Sequence, residues 1–137
     1  VCRALWLNCV HTEPELAEVE MAVPLTLRHP NGVIPGPFLL ALADVAGSFA
    51  LHTAIPYDDL HVTIDLTSHF VRPVSTRLAL GHGHVLRVGT DVAFATVEVD
   101  DENGRRCLVA SGSWAIKRNS PRAPLRGLEP QTKQPLA

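Results

Sequence analysis

Cysteine, net charge and long apolar runs are all scarce in this chain, and each shortage removes a class of protein. The three cysteines, Cys2, Cys9 and Cys107, are odd in number and show no CxxC spacing, which argues against a disulfide framework or a zinc site and fits a reducing cytoplasm. A net charge of −2 offers no electrostatic footprint for nucleic acid or a membrane surface. No charged-then-apolar leader follows Val1, so no signal peptide is expected. The longest apolar run starts at Phe38. It is shorter than the roughly 20 residues needed to span a bilayer and contains Asp44 and His52. There are no internal repeats. Gly81-His82-Gly83 lacks the Lys and the strand-to-helix setting of a phosphate loop. His82 and His84 alternate on a strand with no carboxylate or Cys near them in sequence, so an exposed polar face is expected there and not a metal site.

What is present suits one small domain. The chain has 137 residues, of which 46% are hydrophobic and 19% charged, an apolar share high enough to favour buried subunit contacts. Four of the eleven prolines fall in residues 119–137, a stretch without periodicity. The folded domain is therefore expected over residues 1–118, followed by an extended proline-rich tail.

From Phe38 to Ile55 nearly every side chain is apolar or small, which predicts a helix buried on most of its circumference. Asp44, Ser48 and His52 fall four apart and share one face, a polar line on an apolar cylinder. A carboxylate there is costly to desolvate unless it is paired or lines a cavity. Either it belongs to a functional site or it bonds its own Ser48 or a neighbouring amide. Pro37 suits the first helical turn and Gly36 the cap, so the amides of Gly36, Phe38 and Leu39 are expected to point outward, where a developing oxyanion could bind. Gly36 and Asp44 are separated by roughly 12 Å at ~1.5 Å per residue, too far to share one reacting atom. If both act on one centre, two subunits must supply them, which predicts a dimer.

Strands follow from alternation. Arg3 to Val10 reads as a strand or lead-in with Trp6 as a core anchor, and Glu18 to Leu27 as a strand placed by Pro24 at an edge or bulge. His29-Pro30-Asn31-Gly32 is a turn. His61 to Val71 alternates clearly, with Val62, Ile64, Leu66 and Phe70 on one face and Thr63, Asp65, Thr67 and His69 on the other. Leu78 to Val88, Val92 to Val99 and Cys107 to Ile116 complete a meander, with Asp101-Glu102-Asn103-Gly104 as a hairpin turn. The expected class is α+β, a curled antiparallel sheet around one long helix.

With that order of elements, Gly32, Gly36, Leu42 and Asp44 stand at the spacings of the Gly, His-Gly-Gly and Leu-x-Asp pattern of the hotdog-fold acyl-CoA thioesterases. Val62-Thr63-Ile64-Asp65-Leu66, Phe70-Val71-Arg72-Pro73, Leu86-Arg87-Val88-Gly89 and Gly104 add to the likeness. The chain from Leu25 to Ile116 resembles the group that includes the phenylacetic-acid-pathway thioesterases. The resemblance implies a hotdog fold and thioester hydrolysis, with Asp44 as general base or nucleophile, the Gly36 N–H as oxyanion donor and Thr63 placing water. It implies no cofactor beyond the coenzyme A of the substrate, and a homodimer or homotetramer. His29 stands where the family has Asn, with Asn31 nearby as a second polar contact. Arg72 and Arg87 are candidates for the coenzyme A phosphates, and Gly89 and Thr90 mark the matching turn, Thr90 replacing a frequent Arg or Lys. Pro35 replaces the family His and Pro37 the second Gly. The rival reading is a non-catalytic hotdog protein that binds acyl-CoA or serves as an oligomeric scaffold; a hotdog hydratase is a weaker third.

Overall fold

The helix α1 (Gly36–His52) carries Leu39, Leu42, Ala43, Ala46, Gly47, Ala50 and Leu51 as its buried face, and that face decides how everything else is laid down. A computed structural model describes residues 5–119. Six strands form a single antiparallel sheet: β1 (Leu7–Glu13), β2 (Leu16–Met21), β3 (Leu60–Phe70), β4 (Ala79–Val88), β5 (Val92–Asp101) and β6 (Arg106–Lys117). Their spatial order is β1-β2-β4-β5-β6-β3, and α1 touches every one of them. A sheet that meets one helix with all six strands must curl around it, as the alternation predicts.

The helix lies closest to β4, and two glycines permit this. A Cβ at Gly81 would stand 3.1 Å from Leu42, and one at Gly83 would collide with the Ala46 backbone. The Gly81-His82-Gly83 stretch therefore serves packing. Trp114 of β6 is fully buried and fills the space opposite Gly47, where an added Cβ would come within 2.7 Å of its ring.

Four expectations are corrected. The helix is not buried on most of its circumference: Ala41, Asp44, Val45, Ser48 and Phe49 are half-buried and His52 is exposed, because one sheet can cover only one side of a helix. The second strand ends at Met21, not Leu27. Pro24 has no N–H to continue the ladder, and its carbonyl instead opens a 3-10 turn at Leu25–Leu27 through a 3.0 Å bond from the Leu27 N–H. Trp6 is half-buried with a positive φ of 55°, its ring 6.0 Å from that of Phe38, and is no core anchor.

The fourth correction lies in β3 and matters most. Strict alternation fails because the pairing with β6 shifts register between Thr63 and Asp65, leaving Ile64 as an extra residue. Directly paired residues share a face. Thr63 opposes the buried Trp114 and His61 opposes the buried Ile116, while beyond the shift Leu66 opposes Gly112 and Phe70 opposes Leu108. Thr63 and His61 thus turn toward the helix, and Val62 and Ile64 are left exposed.

The hairpin turn forms as expected. Asp101 is buried and accepts from the N–H groups of Asn103 and Arg105, with Gly104 at a φ of 76°. These contacts hold the Asp101 carboxyl below its usual range. The proline-rich tail lies, apart from Asn119, outside the described residues.

Candidate active site

The polar line on α1 meets the inner face of β3. Thr63 donates a 2.7 Å hydrogen bond from Oγ1 to Oδ1 of Asp44, so this carboxylate's printed partner is a residue 19 positions away and not Ser48. The register shift makes the contact possible, since unbroken alternation would turn Thr63 outward. With its proton committed to Asp44, Thr63 keeps lone pairs free to accept from a water molecule.

One turn further along the helix, Val45, Ser48, Phe49, His52 and His61 line a mainly apolar cavity of about 260 Å³. The two imidazoles have ring centroids 6.3 Å apart. Burial lowers the pKa of His61, the charge of His52 lowers it further, and Asp44 opposes the shift. His61 and His52 were not foreseen as neighbours. The signal was the Asp44, Ser48, His52 spacing, but pairing it with His61 required the strand's register.

The helix start is built differently. Pro35 caps it with ψ at 141° and without a side-chain hydrogen bond. Phe38 N–H donates back to Pro35 C=O at 3.1 Å, so it does not point outward as expected. Pro37 has no N–H. The Gly36 N–H is thereby the donor left at the helix start with no acceptor among the described residues. It opens on a cleft of about 370 Å³ lined by His29, Val33, Ile34, Gly36 and Leu39 on one side and Phe70, Val71, Arg72 and Pro73 on the other.

The remaining candidate residues divide between two places. His29 and Arg72 line the Gly36 cleft, with Arg72 also donating to the Arg106 carbonyl at 3.1 Å. Asn31 uses its side-chain oxygen on the Val33 N–H, a turn contact. Arg87, Gly89 and Thr90 lie around the β4–β5 turn, which the strand register places at the far end of the sheet from Phe70. There Arg118 donates to the Gly89 and Thr90 carbonyls and to Asp59. The Asn119 N–H and the Arg118 guanidinium hold the Asp59 carboxyl below its usual range. This end of the chain is tied down by a network that no sequence spacing announced.

His82 stands between Glu18 at 3.2 Å and Asp100 at 3.6 Å. Neighbouring strands bring these carboxylates close although they are distant in sequence. Among the described residues no group of three or more metal-capable side chains converges, and no helix is long and apolar enough to cross a membrane.

Known proteins share both sequence and fold with this chain. Residues 31–108 match the thioesterase superfamily. The proofreading thioesterase EntH from Klebsiella pneumoniae is 32% identical over 112 residues, covering 80% of this chain and 82% of EntH. A thioesterase from Haemophilus influenzae superposes with a TM-score of 0.81 at 19% identity, covering 90% of this chain and 86% of that one. A mutant of the phenylacetic acid degradation protein PaaI from Thermus thermophilus superposes with a TM-score of 0.73 at 26% identity, covering 83% and 96%. The helix wrapped by a six-stranded sheet is the hotdog fold, and the chain is a thioester hydrolase belonging to the thioesterase superfamily.

Proposed function

We propose that the chain hydrolyses an acyl-CoA thioester in the cytoplasm as a homodimer, with Asp44 of one copy and the Gly36 N–H of the other flanking the thioester carbonyl. The observation that carries this reading is the hydrogen-bonded Asp44–Thr63 pair on a helix face that a single chain leaves open. Edge strand β3 beside it exposes Val62 and Ile64 at 54% and 57%, a covering surface for a second copy. Two such dimers could pair into a tetramer.

In this reading Asp44 Oδ2 takes a proton from water held by Thr63, and the resulting hydroxide adds to the carbonyl carbon. Alternatively the carboxylate adds directly and water then cleaves the anhydride. In either route the carbonyl oxygen becomes an oxyanion facing the Gly36 N–H, and the C–S bond breaks as the thiolate of coenzyme A leaves and is protonated. The acyl group occupies the cavity beside Val45 and Phe49, and His29, Asn31 and Arg72 meet the coenzyme A end. Arg87, Gly89 and Thr90 reach the nucleotide only from the opposite end of a partner's sheet. No metal or redox cofactor is required.

Complementation tests the two-subunit geometry. Asp44→Ala removes the acid. Gly36→Pro removes the donor, and Pro35, with ψ at 141°, already has the backbone a following proline demands. Each variant alone should lose thiol release from acyl-CoA. Mixed chains should regain about a quarter of wild-type activity, because half the dimers are mixed and each carries one intact site. If Asp44→Ala releases thiol at the wild-type rate, the enzyme reading of this site fails. If it binds acyl-CoA unchanged and wild type never turns it over, the non-catalytic alternative stands, which the loss of the family His and Gly to Pro35 and Pro37 favours.

A further inference from the structure

Arg28, which no motif singles out, donates to four main-chain carbonyls at once. Its Nε reaches Val23 at 3.0 Å, Nη1 reaches Gly32 at 3.2 Å and Thr76 at 2.7 Å, and Nη2 reaches Arg77 at 3.0 Å. Val23 and Gly32 belong to the segment that runs into α1. Thr76 and Arg77 belong to the segment that leaves β3. These same two segments form the walls of the Gly36 cleft, His29, Val33 and Ile34 on one side and Val71, Arg72 and Pro73 on the other. Among the described residues one main-chain hydrogen bond also crosses between them, from Ile34 N–H to Val74 C=O at 2.8 Å.

We infer that Arg28 is a positioning residue for the Gly36 donor: by gripping both walls from behind, it fixes where the helix start and its N–H stand relative to the opposite wall. This rests on the reading of Gly36 as oxyanion donor. Nothing local does the job, because Pro35 caps the helix without a side-chain bond and Pro37 contributes no N–H. Position must come from the preceding loop, and Arg28 is what anchors that loop. A guanidinium is suited to this, with five N–H groups in a rigid planar fork. A lysine ammonium is a point charge that cannot span carbonyls on two sides.

Arg28→Ala and Arg28→Lys in the full chain test the inference, with hexanoyl-CoA and phenylacetyl-CoA as probes and thiol release as the readout. Both should lower kcat about 10- to 100-fold, the effect of misplacing a reacting group by about 1 Å, with KM and the pH profile unchanged. Methylguanidinium should restore part of the kcat of Arg28→Ala. Amide exchange at Ile34 should accelerate in Arg28→Ala while that at Val97, in the core, does not. Folded variants whose kcat stays within about twofold of wild type, or an unchanged Ile34 exchange rate, overturn the inference. Gly36→Pro separates the two readings. If it retains full kcat, the donor assignment is wrong, whereas a Gly36→Pro loss without an Arg28 loss removes only Arg28.

Discussion

The two ends of α1 are held in place by opposite means. At its N-terminus the chain is fixed through main-chain groups: Ile34 bonded to Val74, Arg28 to four carbonyls, and prolines on either side of Gly36. Further along, Asp44 and His52 meet β3 through side chains alone, one hydrogen bond to Thr63 and one ring neighbour in His61. The difference follows from what each end presents. An N–H donor is part of the backbone and can be aimed only by fixing the backbone. An acid must reach water and exchange a proton, so it belongs on an open face with a side chain to orient it.

Substitutions at the two ends should separate these modes. The largest effect is expected from Asp44→Ala, a loss of about 10²- to 10⁴-fold in kcat, with Gly36→Pro close behind at about 10²- to 10³-fold; steady-state thiol release measures both. Next, Gly47→Ala should destabilise the fold by about 1–3 kcal/mol, since its Cβ would meet Trp114 at 2.7 Å. Urea unfolding checks this, and a loss below about 0.5 kcal/mol would show that the helix can shift without cost. Thr63→Val should then cost about tenfold in kcat through one hydrogen bond while leaving Gly36-dependent oxyanion binding intact.

The smallest effect is a pH slope. Burial and His52 lower the pKa of His61 below 6.5. As pH falls below that value the unfolded chain takes up a proton that the folded chain refuses. Stability should therefore decline from pH 6.5 downward and level off below the folded pKa. His61→Gln should flatten this slope in thermal melts between about pH 5 and 6.5. A slope that persists would place its origin elsewhere, for example in a residue near the sheet's other end.

Much of this was legible in the residues. The run from Phe38 to Ile55 could be little other than a core helix, and the alternation in Leu78–Val88 and Val92–Val99 marked strands with accurate cores and blurred ends. Asp44 and Gly36 stood out because a carboxylate on an apolar helix and a glycine at its start each break a local pattern. Thr63 was harder. Its place depended on Ile64 being extra in the pairing with β6, and nothing in the spacing of His61 to Val71 records what the neighbouring strand does. Arg28 was invisible for the same reason: its partners at Thr76 and Arg77 are 48 and 49 residues away.

The sequence by itself determined the elements and their order, because periodicity, proline and glycine act within a few residues of where they stand. Tertiary structure alone decided which side of β3 faces the helix, that Asp44 bonds Thr63 and not Ser48, and that one flank of α1 remains open. Those outcomes depend on register and on how far one sheet can wrap a cylinder, and both are set by contacts between segments distant along the chain.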